Sequence, residues 1–181
     1  MPMLHSEEHC WPEFSDDRPS RSSRVQPESA PAPPIFSDLD ERQCNAILDE
    51  NRVGRIAYAF HEQVEIAPIH YVRRGKWLYG RTAPGTKLTT LSHAPWVAFE
   101  VDEIEGMFEW RSVVVHGAFY ALKPGGTSYD VGAWETGIEA LRDMLPQTFK
   151  HTDPIPFRMV MFRISIDRMT GRSARPGERS D

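Results

Sequence analysis

Between residues 79 and 91 the chain reads Tyr79-Gly80-Arg81-Thr82-Ala83-Pro84-Gly85-Thr86-Lys87-Leu88-Thr89-Thr90-Leu91. A strand-like run ends, a Pro-Gly turn follows, and a helix-like run begins. The first N–H groups of a helix have no partner within it, and the helix dipole adds partial positive charge there. That geometry suits a phosphate. Thr86 offers a hydroxyl, and Lys87 and Arg81 offer full positive charges. A lysine in a first helical turn opposes the dipole, and a bound phosphate would reverse that penalty. The same pattern also fits a solvated lysine on a surface helix. It is not a Walker loop, because the glycine spacing fails and no Gly-Lys-Ser/Thr is present.

Two further segments carry polar groups into apolar runs. In Trp110-Arg111-Ser112-Val113-Val114-Val115-His116-Gly117, Arg111 and Ser112 stand where a strand enters the core. They could bind a polar ligand, or Arg111 could pair with Glu105 or Glu109. In Ile66-Ala67-Pro68-Ile69-His70-Tyr71-Val72, Pro68 argues for an edge or bulged position with free backbone groups. His70 faces a pocket or a partner subunit, or is an ordinary packed or surface histidine. Neither cysteine, Cys10 or Cys44, has a catalytic setting, and the folded part contains no metal-ligand cluster.

The surrounding elements must position these groups. Leu39, Cys44, Ile47 and Leu48 recur at helical spacing, which predicts a helix over 38–51, with Ser37 and Asp40 as a capping box and Gly54 past its end. Strands are predicted at 55–60, 64–72, 76–81, 96–101, 110–122 and 157–167. A short helix is predicted at 84–91 and a longer one at 127–145. Short connections favour antiparallel pairing. Six such strands favour a closed or partly closed barrel, so the fold class is mainly β with flanking helices.

Seven of the fifteen prolines fall within residues 1–35, among many Ser, Glu, Asp and Arg. Such a segment buries too little surface to fold, so the domain is expected over 36–172, with a polar tail at 173–181. His5, His9 and Cys10 in the first tail find no matching second metal-binding cluster. Net charge is −5, which disfavours nucleic acid as a partner. No apolar run approaches the roughly 20 residues of a membrane span, and no signal peptide is read. Two isolated thiols suit a reducing compartment, so a cytoplasmic location is expected.

The run Arg52-Val53-Gly54-Arg55-Ile56-Ala57, then Pro68 to Val72, then Leu78-Tyr79 with Pro84-Gly85-Thr86-Lys87-Leu88, then Trp110 to Gly117, then Ile166-Asp167-Arg168-Met169-Thr170-Gly171-Arg172, resembles the pyridoxamine 5′-phosphate oxidase-like FMN-binding split-barrel family. The branch nearest in pattern is that of the nitroimidazole-resistance (Nim) proteins. The resemblance covers about residues 37–172. It implies a six-stranded antiparallel split β-barrel of Greek-key type, paired as a homodimer with flavin at the subunit interface. Carried over by position, Pro68, Ile69, His70 and Tyr71 would line the isoalloxazine through the strand backbone. Arg81, Thr82, Thr86 and Lys87 would surround the phosphate, and Arg111 and Ser112 would approach the ring or ribityl chain. FMN is favoured over FAD, since no dinucleotide fingerprint occurs.

The implied activity is electron transfer from a reduced nicotinamide to a small acceptor. A non-catalytic flavin, haem or deazaflavin carrier is the alternative, with His70, His116 and His151 available for haem. Gly80 stands where Nim proteins often carry a histidine, which argues against nitroimidazole reduction. The C-terminal Trp and Arg of true pyridoxamine phosphate oxidases have no counterpart after Phe157, which argues against vitamin B6 oxidation.

Overall fold

The computed structural model describes residues 32–125 and 128–177. The tail residues 1–31, with His5, His9 and Cys10, lie outside the described residues. Eight strands and three helices follow in the order β1 Ile35–Leu39, α1 Glu41–Glu50, β2 Val53–Phe60, β3 Gln63–Arg74, β4 Trp77–Thr82, α2 Thr86–His93, β5 Trp96–Gly106, β6 Glu109–Leu122, α3 Ser128–Met144, β7 Val160–Ser165 and β8 Arg168–Arg175.

All strand pairings are antiparallel. The sheet order is β1-β8-β6-β5-β2-β3-β4-β7, and β6 also pairs with β7. Strands β2 to β7 therefore form a closed ring, and these are the six strands that alternation and turn residues predict. β6 makes closure possible by changing partners along its length. Trp110 to His116 lie between β5 and β8, whereas Phe119 to Leu122 pair with β7.

The ring encloses one apolar cluster, which includes Ile56, Tyr71, Leu78, Phe99, Val115, Phe119 and Phe162. Each such buried side chain contributes roughly 1.5–3 kcal/mol. Inside it Phe119 stacks on Phe162 at 4.8 Å and Tyr71 meets Phe99 edge-on at 4.9 Å. A second cluster lies under α3, where Ala133, Ala140 and Leu141 cover Val72, Tyr79 and Met161 on the outer side of β3, β4 and β7.

Three local readings differ from expectation. Helix α1 is capped by Asp40, whose carboxylate accepts from the Gln43 N–H while the Gln43 side chain accepts from the Asp40 N–H. Ser37 belongs instead to β1, paired with Ser173. Gly54 lies within β2 rather than at a helix end, with the Phe99 ring where a Cβ would be. The expected polar tail at 173–181 overlaps the end of β8, since Ser173 to Arg175 pair with β1.

Gly117 sits at the point where β6 crosses from one sheet to the other. A Cβ there would lie 1.7 Å from the Ser165 carbonyl oxygen of β7. The next residue, Ala118, donates its N–H to the Ser165 hydroxyl at 2.9 Å. Only a glycine lets the two backbones touch. Gly117→Ala is expected to cost about 3 kcal/mol through this overlap. Gly75→Ala, in a turn at φ 58° with open space around it, is expected to cost about 1 kcal/mol through backbone conformation alone. Urea midpoints for the two variants check this; equal losses would contradict the contact.

Candidate functional site

The site begins with a divided strand. Residues Gln63 to His70 of β3 pair with β2, and Tyr71 to Arg74 pair with β4. Beyond Gly80, β4 continues along β7 as Arg81 and Thr82. The two strands therefore part between His70 and Arg81 and form a fork, with α2 starting just past the open end of β4. Pro68 pairs with Arg55 on its β2 side and faces the fork on the other, as a proline at an edge requires.

Alternation sorts the expected residues at the fork. Ile69 and Tyr71 point inward and are buried. The Tyr71 hydroxyl donates to the Leu48 carbonyl at 2.9 Å, its N–H donates to the Arg52 carbonyl, and burial raises its pKa. Tyr71 is thus tied to α1 and offers no side chain to a ligand. Pro68 and His70 point outward and are exposed.

His70 and Arg81 share a cavity of about 210 Å³. Leu141, Met144 and Leu145 at the end of α3 and Ile155 form its apolar wall, and Arg158 its third polar group. Lys87 in the first turn of α2 is half-buried. Burial first, and the nearby Arg158 charge second, push its ammonium pKa down. No carboxylate pairs with Lys87 or Arg158 among the described residues. Gly85 caps α2 with no side-chain hydrogen bond, and the space where its Cβ would lie is open. The first backbone bonds of α2 run from Thr89 to Gly85, so the N–H groups of Thr86, Lys87 and Leu88 precede the ladder. Thr86 is exposed beside them, whereas Thr82 is buried against β7.

Arg81 differs from the other cations. Its side chain is 4% exposed and that of Asp153 is 2% exposed. Both terminal nitrogens of Arg81 bond the two Asp153 oxygens, Nη2 to Oδ1 at 2.9 Å. Asp153 also accepts from the N–H groups of Phe149 at 2.8 Å and Ile155 at 3.0 Å. These hydrogen bonds, the Arg81 bond foremost, hold its carboxyl well below the usual carboxylate range. The Arg81 guanidinium lies 5.4 Å from the Phe149 ring centre, and Phe149 stacks on Trp134 of α3. Phe149 has φ 56°, a strained value for a bulky residue. Arg81 thus anchors the connection between α3 and β7, and its positive charge is balanced.

Arg111 and Ser112 lie elsewhere in the protomer. Arg111 pairs with Glu103 at 2.5 Å, not with Glu105 or Glu109. Ser112 donates to Glu100 at 3.4 Å and lines an open groove of about 640 Å³ with Trp110, Val114 and Arg172. β6 is three strand spacings from β3, about 14 Å. Yet Ser112 is on the same outward sheet face as His70. That face carries Val64, Ile66 and Trp96, which are 70%, 64% and 72% exposed. Ala57, Ala98 and Val114 lie among them.

Sequence reasoning missed Asp153 and Arg158. Pro154 and Pro156 mark a loop where a strand from 157 was predicted. No local signal links Asp153 to Arg81, 72 residues earlier.

Known proteins share the fold of this chain. The family described as pyridoxamine 5′-phosphate oxidase matches residues 40–173. An uncharacterised protein of Rhizobium meliloti is 27% identical over 148 residues, 77% of this chain and 96% of its own length. The crystal structure of an FAD-binding protein from Mesorhizobium loti is 26% identical, with a TM-score of 0.63 over 79% of this chain and 99% of that one. A candidate 5-nitroimidazole antibiotic resistance protein from Bacteroides thetaiotaomicron, 14% identical, shares the fold with a TM-score of 0.60 over 79% of this chain and 90% of that one.

Asp153→Asn removes the charge of a buried, fully bonded carboxylate and leaves Arg81 unpaired, so it is expected to cost about 3–5 kcal/mol. The native carboxyl titrates below its unfolded value of about 4. Its stabilisation is therefore complete above that pH and is lost as pH falls from there through the native value. Denaturation of the wild type between pH 5 and 2 is expected to show a steeper loss than Asp153→Asn, and parallel curves would contradict the pairing.

Proposed function

As this chain belongs to the pyridoxamine 5′-phosphate oxidase family, a family of flavin-binding split barrels, we propose that it binds FMN at the fork and passes electrons from a reduced nicotinamide to a small acceptor. The observation that carries this reading is the end of the fork. A half-buried lysine without a carboxylate partner stands there beside first-turn N–H groups and an open glycine. Lys87, Thr86 and these N–H groups would hold the phosphate. Pro68 and His70 would lie along the isoalloxazine. Bound flavin supplies the electron chemistry, and the protein supplies orientation and field. FMN is the reading because the fork offers one compact anion site; the FAD named for the Mesorhizobium loti protein makes FAD the competing cofactor in the test.

The acceptor differs from two family themes. At Gly80 a Cβ would lie 2.4 Å from the Phe162 ring and 2.8 Å from the His70 carbonyl oxygen. A histidine has no room there, which weighs against nitroimidazole reduction. Vitamin B6 oxidation lacks the expected C-terminal Trp and Arg.

A homodimer would complete the site. Ser112 shares the outward apolar face with His70 but stands about 14 Å away across the sheet, while Arg111 beside it points to the other face, toward Glu103. A two-fold axis through that face would lay β6 of one protomer over β3 of the other. Exposed Val64, Ile66 and Trp96 would then be buried.

Purified protein is expected to be yellow with paired visible flavin bands and no Soret band, and released cofactor is expected to run as FMN rather than FAD. Reduced nicotinamide should bleach it. Lys87→Gln is expected to weaken FMN by about 1.5–3 kcal/mol, read by fluorescence titration; unchanged affinity would remove the phosphate assignment. Ile66→Asp places a charge on the proposed interface and is expected to give a flavin-free monomer by light scattering and absorbance. A dimer that keeps its flavin would refute the interface.

A further inference from the structure

We propose that Arg158 is a second ligand for the cofactor's phosphate, and that the Arg81–Asp153 ion pair is the latch that holds it in place. This rests on the flavin reading above and adds to it a residue that no expected motif contains. At the fork cavity the guanidinium-bearing residues Arg81 and Arg158 meet His70. Arg81 is already neutralised by a buried carboxylate. Arg158 has no carboxylate partner among the described residues, and neither has the adjacent Lys87.

Two unpaired cations held close together oppose each other in the free protein. A dianion between them turns that repulsion into attraction, and charge-assisted bonds from a guanidinium to phosphate are strong and directional. Burial and the Arg158 charge already disfavour the ammonium form of Lys87, so the gain on binding phosphate falls on both groups. A terminal monophosphate presents three charged oxygens on one phosphorus to this pair, and the bridging diphosphate of FAD two on each.

Arg158 sits on a connection without regular structure, and long charged side chains on such segments lose entropy when they are fixed. Here the connection is fixed in advance. Asp153 gathers the N–H groups of Phe149 and Ile155 and both arms of Arg81. Phe149 is clamped between Arg81 and Trp134. The Arg158 N–H donates to the Ile155 carbonyl at 3.1 Å, which carries the restraint from Asp153 to Arg158 in two steps. Arg81 is thus a positioning residue. Its contribution to the phosphate passes through the loop rather than through its own guanidinium.

The test compares FMN with riboflavin, which differ by the phosphate alone, on the full chain. Wild type is expected to prefer FMN. Arg158→Gln is expected to reduce that preference roughly ten- to a hundredfold, with riboflavin affinity kept, and Arg158→Lys is expected to restore most of it. Asp153→Asn, measured well below its unfolding temperature, is expected to lower the preference as well while riboflavin still binds. An FAD titration beside these identifies which phosphate-bearing cofactor the pair serves. If Lys87→Gln lowers the preference and Arg158→Gln does not, Arg158 has no such role although the flavin reading stands. If wild type binds FMN and riboflavin equally, the phosphate site itself falls, and this role with it. A preference that Asp153→Asn leaves unchanged would refute the latch.

Discussion

β3 serves its two neighbours one after the other rather than side by side. β3 pairs with β2 up to His70 and with β4 from Tyr71 onward, and everything at the candidate site follows from that division. A strand that changes partners leaves backbone and side chains facing a gap rather than another ladder. In the core such a gap would be costly, because buried polar groups need partners. Here the gap opens toward solvent, and the chain surrounds it with proline, histidine, arginine and a helix start. The inward residues on either side, Ile69 and Tyr71, stay in the core and hold the fork's base rigid.

Charge is managed in two ways around this opening. Arg81 is matched with Asp153 in a dry setting, where an unmatched charge would be severely penalised. Lys87 and Arg158 remain unmatched where water reaches them. A protein that only needed stability would have little reason to gather cations without acids beside them. The contrast between one satisfied pair and two unsatisfied neighbours separates what holds the site from what would meet a ligand.

The ring was legible because its strands are apolar runs and two of its connections carry the Gly75 turn and the Pro84-Gly85 turn. The two additional strands were not. Ile35–Leu39 is short and Arg168–Arg175 is mostly polar, and they become strands because β6 offers an edge to β8 and β8 in turn offers one to β1. Ser37 and Asp40 each satisfy a capping pattern, and the choice of Asp40 depends on β8 claiming Ser37. Lys87 and Thr86 were legible from the helix start, which is a local signal. Arg81 was legible as a cation at the end of a strand, but its partner was not, since a contact between residues 81 and 153 leaves no trace in either neighbourhood. Arg111 and Ser112 were legible as polar residues at a strand entrance, while their separation from the fork is a property of strand order, which local patterns do not encode.

The backbone contact of Gly117 with Ser165 bears on how this molecule can move. Where β6 leaves one sheet for the other, main chain rests on main chain with no side chain to act as a cushion. The two halves of the ring are held together there by main-chain contact and by the bond from the Ala118 N–H to the Ser165 hydroxyl. A ligand at the fork would meet strands already tied at this seam, with the α3–β7 connection held beside them by Asp153. The ring acts as an anvil of fixed shape.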